Sequence, residues 1–127
     1  MKPKKPINRI KKTPLAKLMR EADELAGQLC RQRGVCESCG NKQHAMLQWC
    51  HIISRTYKGL RWDVENCLAL CRNCHAGFTY RPSKWIAWLM ENMPVRYLML
   101  ERKSRDIHKL TRVEMEQTIQ DLKEKLA

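Results

Sequence analysis

Residues 35–78 read VCESCGNKQHAMLQWCHIISRTYKGLRWDVENCLALCRNCHAGF, and the order of cysteines, histidines and asparagine in this stretch decides the fold. Cys36-Glu37-Ser38-Cys39 and Cys71-Arg72-Asn73-Cys74 are two CxxC pairs. Cys50-His51 and Asn66 lie between them, and His75 follows the second pair directly. Two such pairs supply four thiolates, the number that closes a tetrahedral structural zinc site. The gap from Gly40 to Leu70 is longer than in a compact zinc ribbon, so further structure must fill it.

Working outward, Met46 to Ile53 is apolar enough for a strand, with Cys50-His51 near its end. Ser54 to Gly59 is a polar loop, and Cys67 to Leu70 is a second short strand. Arg72 to about Thr79 reads as a short helix that carries His75. A ββα unit pinned by zinc would therefore bring His51 and His75 onto neighbouring elements. Upstream, Leu15, Leu18, Met19, Ala22, Leu25, Ala26 and Leu29 recur at helical spacing, which predicts an amphipathic helix over 15–33 stopped by Gly34. Downstream, residues 81–127 read as a helical tail. Pro82 or Ser83 starts one helix and Pro94 another, and Thr111-x-x-Glu114 is a capping box for the last. The fold class is α+β and mostly helical. Residues 15–127 form one domain around a 35–80 core, preceded by a basic flexible arm over 1–14.

The 127 residues carry 25 Lys+Arg against 13 Asp+Glu, a net charge of +12. That balance calls for a polyanion, and nucleic acid is the first candidate because clustered cations release condensed counterions. No segment approaches the roughly 18–20 apolar residues of a spanning helix. The N-terminal lysines are not followed by an apolar core, so neither a membrane partner nor an export signal is expected, and the location is read as cytoplasmic. Seven cysteines, two zinc-spaced pairs and no export signal favour metal binding over a disulfide framework. Cys30 and Cys67 read as small buried hydrophobes. His44 and His108 read as solvated.

Cys36-Glu-Ser-Cys39, Cys50-His51-Ile-Ile, Glu65-Asn66 and Leu70-Cys71-Arg-Asn-Cys74-His75 together resemble the zinc-stabilised HNH endonucleases, whose motif is a ββα-metal unit. In outline the basic arm, first helix and helical tail are also similar to phage recombination endonucleases of the NinG (Rap) type. The resemblance implies a metal-dependent DNA endonuclease from a phage or bacterium acting on recombination or branched DNA, in the bacterial host cytoplasm if phage-encoded. It implies a structural Zn2+ on Cys36, Cys39, Cys71 and Cys74, and one catalytic divalent cation (Mg2+, Mn2+ or a transition metal) on His75. His51 would be the general base that activates water, and Asn66 would hold the His51 ring through its side-chain or backbone carbonyl.

Cys50 departs from that pattern, in which Asp or His precedes the general base. Thiolate is a soft ligand, poorly suited to magnesium. Cys50 either ligates a transition ion with His75, or is a buried bystander while His75 holds the metal alongside water, phosphate oxygens or a carboxylate such as Asp63, or marks a degenerate site. The last option leads to the alternative function, a non-catalytic zinc-stabilised DNA- or RNA-binding module. Arg55, Lys58, Arg61 and Arg72 near the site, and Lys4, Lys5, Lys11 and Lys12 in the arm, are the candidate phosphate contacts. The C-terminal helices offer a face for a homodimer.

Overall fold

The computed structural model describes residues 13–42, 46–106 and 109–127. The expected arm residues Lys4, Lys5, Lys11 and Lys12, and both His44 and His108, lie outside the described residues. The elements run α1 (Leu15–Arg31), β1 (Gln48–His51), β2 (Cys67–Leu70), α2 (Arg72–Tyr80), α3 (Pro82–Asn92), α4 (Pro94–Ser104) and α5 (Arg112–Leu126). β1 and β2 pair antiparallel, with His51 opposite Cys67 and Gln48 opposite Leu70. No helix among the described residues is long and apolar enough to cross a membrane.

Local signals place most boundaries. Proline at N1 starts α3 and α4, where its missing N–H is no loss. Thr111 caps α5 by accepting from the Glu114 N–H. α1 closes through successive tight turns onto Gly34, whose φ of +73° is open to glycine and strained for other residues. Its regular part ends at Arg31, short of the expected Arg33. The Arg33 side chain instead donates to Val64 O and Cys67 O, both at 2.8 Å, and pairs with Glu37 at 2.9 Å.

Those contacts seal the outer edge of β2, which is buried along its whole length. Glu37 N–H donates to Ala69 O, and the Glu37 carboxylate accepts from Ala69 N–H at 2.7 Å. Arg96 from α4 joins Arg33 on Cys67 O. A two-stranded sheet alone is marginal in water, and here its open edge is closed by the first CxxC turn and two arginines.

Two apolar clusters flank the sheet. One joins β1, β2 and the cysteine turns to Leu89 of α3 and Leu100 of α4. The other packs Leu18, Ala22 and Ala26 of α1 against Met115, Ile119 and Leu122 of α5, with Trp62 between them. Trp49 touches both. The apolar face of α5 is therefore spent inside the chain, and a homodimer through that helix loses its surface. Cys30 and Cys67 are buried as expected.

Candidate functional site

The four cysteines of the two CxxC turns converge, with all four sulfurs within 4.8 Å of one another. Cys39 and Cys71 Sγ lie 4.0 Å apart. Sulfurs on a zinc tetrahedron with bonds of about 2.3 Å sit roughly 3.8 Å apart, so the cluster fits the ion. Burial raises the Cys74 thiol to about 12. At Cys36 burial is outweighed by backbone N–H groups of Cys39, Cys71 and Ser38, which hold that thiol down to about 6. A bound divalent ion replaces such proton sharing with thiolate ligation. Among the described residues this is the group of three or more His, Cys, Asp or Glu side chains whose ligand atoms come together.

A cavity of about 320 Å³ opens beside this frame, lined by Trp49, Cys50, His51, Arg55, His75, Phe78, Thr79 and Trp85. His51 and His75 thus face one space, from the end of β1 and the first turn of α2. The His51 Nε2–H donates to the Arg61 carbonyl at 3.0 Å, which leaves Nδ1 with a free lone pair in the neutral ring. Burial lowers the His51 pKa; the Arg61 carbonyl opposes the shift, and the positive charges of Arg55 and Arg61 add to it. The ring is accordingly a neutral proton acceptor at physiological pH. His75 Nδ1 pairs with Gln48 Oε1 at 2.6 Å, and since that oxygen can only accept, Nε2 is the nitrogen left to bind a cation.

Asn66 is fully buried, and its side chain bonds to the loop backbone while the His51 ring bonds to the Arg61 carbonyl. Its Oδ1 accepts from Ile53 N–H at 2.8 Å, and its Nδ2 donates to Ile53 O and Leu60 O, both at 3.0 Å. Its own carbonyl accepts from Ile52 N–H. The Ile52 bond continues the β1–β2 register, and the side-chain bonds to Ile53 then take the chain off the sheet, which is why β1 stops short of Ile53. They also close the loop from Ile53 to Leu60, so that the next residue, Arg61, presents its carbonyl to His51. Asn66 orients the histidine at one remove, through the loop backbone.

The Arg61 side chain, expected from the sequence to contact phosphate, is instead held by a carboxylate of this chain. Nε and Nη2 grip the carboxylate of Asp23 on α1 at 2.9 and 2.5 Å, and Trp62 Nε1 donates to the same carboxylate at 2.8 Å. Arg55 lines the cavity and stands 3.5 Å from Asp23 with its side chain largely exposed. Arg72 is exposed in the first turn of α2. Lys58 and Asp63 line a different cavity, against α5, which removes Asp63 as an assisting carboxylate at His75. Asp63 instead accepts from Glu65 N–H and faces Lys103.

Cys50 is buried, and its thiol is pushed up to about 12 by burial and by Cys67. Its Sγ lies 3.9 Å from His51 O. Sequence reasoning missed Asp23 and Gln48. Asp23 is one polar residue at the edge of the buried face of an amphipathic helix, 38 positions from its partner Arg61, and carries no local signal. Gln48 was within reach, because it shares a strand face with Cys50 by the two-residue alternation.

The HNH endonuclease family model matches residues 36–80, from the first cysteine of the CxxC pairs to the end of α2. No curated protein and no solved structure matches the chain.

Proposed function

Taking the HNH match of residues 36–80 as the premise, we propose that the protein is a metal-dependent DNA endonuclease that hydrolyses phosphodiester bonds. His51 acts as general base through Nδ1, and His75 holds the divalent cation through Nε2. The observation that carries this reading is the pair of complementary tautomers in one cavity: Arg61 O fixes His51 and Gln48 Oε1 fixes His75, each leaving one nitrogen free. A zinc knuckle that only bound DNA would need neither arrangement.

The ion, when bound, polarises the scissile phosphate and neutralises charge that develops on it. Among the described residues no group of three or more potential ligands forms around His75, so water and phosphate oxygens would complete the shell of an ion held there. That arrangement suits a hard cation such as Mg2+ or Mn2+, with Cys50 a neutral buried neighbour. His51 takes the proton from the attacking water, and Asn66 and Asp23 keep its ring in place through the loop and Arg61. Arg55 and Arg72, with the arm lysines Lys4, Lys5, Lys11 and Lys12, hold the phosphate backbone. The outline similarity to NinG-type proteins supports a phage or bacterial recombination setting, with branched DNA as the substrate.

The test is a cleavage panel of duplex, nicked, single-stranded and four-way-junction DNA with Mg2+, Mn2+, Ni2+ and Zn2+. Ion-dependent cleavage is expected. DNA binding without cleavage under every condition would overturn the reading in favour of a non-catalytic zinc-stabilised module.

A further inference from the structure

The cavity that holds His51 and His75 is walled by more aromatic surface than backbone hydrolysis needs. Trp49, Phe78 and Trp85 all line it, and Arg55 is the cation among its lining residues. A phosphodiester calls for cations and N–H donors around it, whereas flat carbon rings offer it nothing. We propose that this wall seats the face of an unpaired DNA base next to the scissile phosphate, so that the enzyme acts on strands that are unpaired at the point of cleavage. The proposal rests on the nuclease reading for the position of the phosphate.

The rings pack against one another. Trp85 stacks on Trp88 with centroids 5.9 Å apart and planes within 8°. Phe78 tilts against Trp85 at 4.7 Å, and Trp49 tilts against the His51 ring at 4.2 Å. Trp49, Phe78 and Trp85 are each only half-buried, so the packing that holds them leaves surface for a ligand. Trp85 also lines a second cavity, with Ile53, Tyr57 and Tyr97 among its walls, and Tyr57 there is 50% exposed. A strand passing the active site thus meets a ring again beyond Trp85.

Inside a duplex both faces of a base are covered by its neighbours, and no side chain can lie on them. A single strand, flap, bubble or junction centre leaves faces free. Stacking then favours the unpaired strand without selecting its sequence, because every base has a π-face. Arg55 supplies the charge that brings the backbone to the rings, within a chain of net charge +12.

The experiment uses full-length protein carrying His51→Ala, so that the readout is binding and not cleavage. A 2-aminopurine base placed in a single-stranded oligonucleotide, and then in the matching duplex, reports stacking by loss of fluorescence. Quenching beyond the free-strand level is expected with the single strand, and tighter binding of it than of the duplex. Adding Trp85→Leu should weaken single-strand binding by about 5- to 150-fold, the loss that follows from removing one stacked base. Trp85→Phe should restore most of it, and the loss for duplex should be smaller. Zinc content and circular dichroism check that the variants fold, and the quenching does not depend on them. No quenching with the single strand, or equal losses for single strand and duplex in Trp85→Leu, would overturn the proposal. Because cleavage plays no part, failure of the nuclease reading would show separately, in the cleavage panel.

Discussion

Asp23→Ala is the perturbation that most sharply tests how α1 reaches His51. The Asp23 carboxylate accepts three hydrogen bonds, two from Arg61 and one from Trp62 Nε1. The Asp23 and Arg61 side chains are 20% and 14% exposed, so most of the pair is out of water. Removing one partner of a buried ion pair costs about 3–5 kcal/mol, because the other charge is left desolvated. Partial access of water to this pair reduces that to roughly 2–3 kcal/mol. For a domain of this size the loss corresponds to a fall in Tm of roughly 8–12 °C. Asp23→Asn keeps the shape and an acceptor oxygen, and should lose about half as much. The effect should also reach catalysis, since the residue that Asp23 grips is the one whose carbonyl holds His51 Nε2. A misplacement of about 1 Å can cost a hundredfold in rate. Single-turnover cleavage, measured well below the Tm of Asp23→Ala, should therefore be at least about tenfold slower at saturating DNA. A Tm within a degree or two of the parent would refute the energetic reasoning. A lowered Tm with an unchanged rate would refute the link from α1 to His51.

Asn66→Ala strands Ile53 N–H, Ile53 O and Leu60 O in the interior, and at about 1–3 kcal/mol for each unsatisfied group the loss should exceed that of Asp23→Ala. Asn66→Asp should not rescue it, because a second oxygen would face two carbonyls; chemical denaturation of both variants checks this. Metal analysis of purified protein should find one tightly held zinc per chain. Cys71→Ser, at the buried start of α2 where its sulfur also accepts from Cys74 N–H, should lose that zinc and the near-ultraviolet dichroism of the tryptophans. The His51 pKa is lowered by burial, so the base should stay active as pH falls past the ordinary histidine range. The acid limb of the cleavage rate should accordingly lie below that range, and a limb above it would contradict a buried, neutral His51.

The parts of the fold written in short-range signals were legible in the sequence. Pro82 and Pro94 mark helix starts, Thr111 marks a cap, and Cys67–Leu70 is a strand buried on both faces. The four cysteines of the CxxC pairs announce themselves by spacing, and they do come together. What spacing could not show was how polar side chains divide the backbone among themselves. β1 stops short of Ile53 because the Asn66 side chain takes both the N–H and the carbonyl of that residue. Arg61 looked like a free cation because its partner, Asp23, sits on a helix whose apolar stripe said only which side faces the core. The apolar face of α5 looked available to a second copy because periodicity shows that a face is buried without saying against what, and α1 turns out to cover it.

The central claim is that His51 is a general base within a frame it does not hold up. Its most direct test compares parent and His51→Ala in nicking supercoiled plasmid at saturating Mg2+ or Mn2+, with zinc content and DNA affinity measured on the same samples. The account predicts ion-dependent nicking by the parent, a loss of at least about a hundredfold in His51→Ala from removal of general-base catalysis, and unchanged zinc and affinity. Nicking by His51→Ala at the parental rate would contradict it.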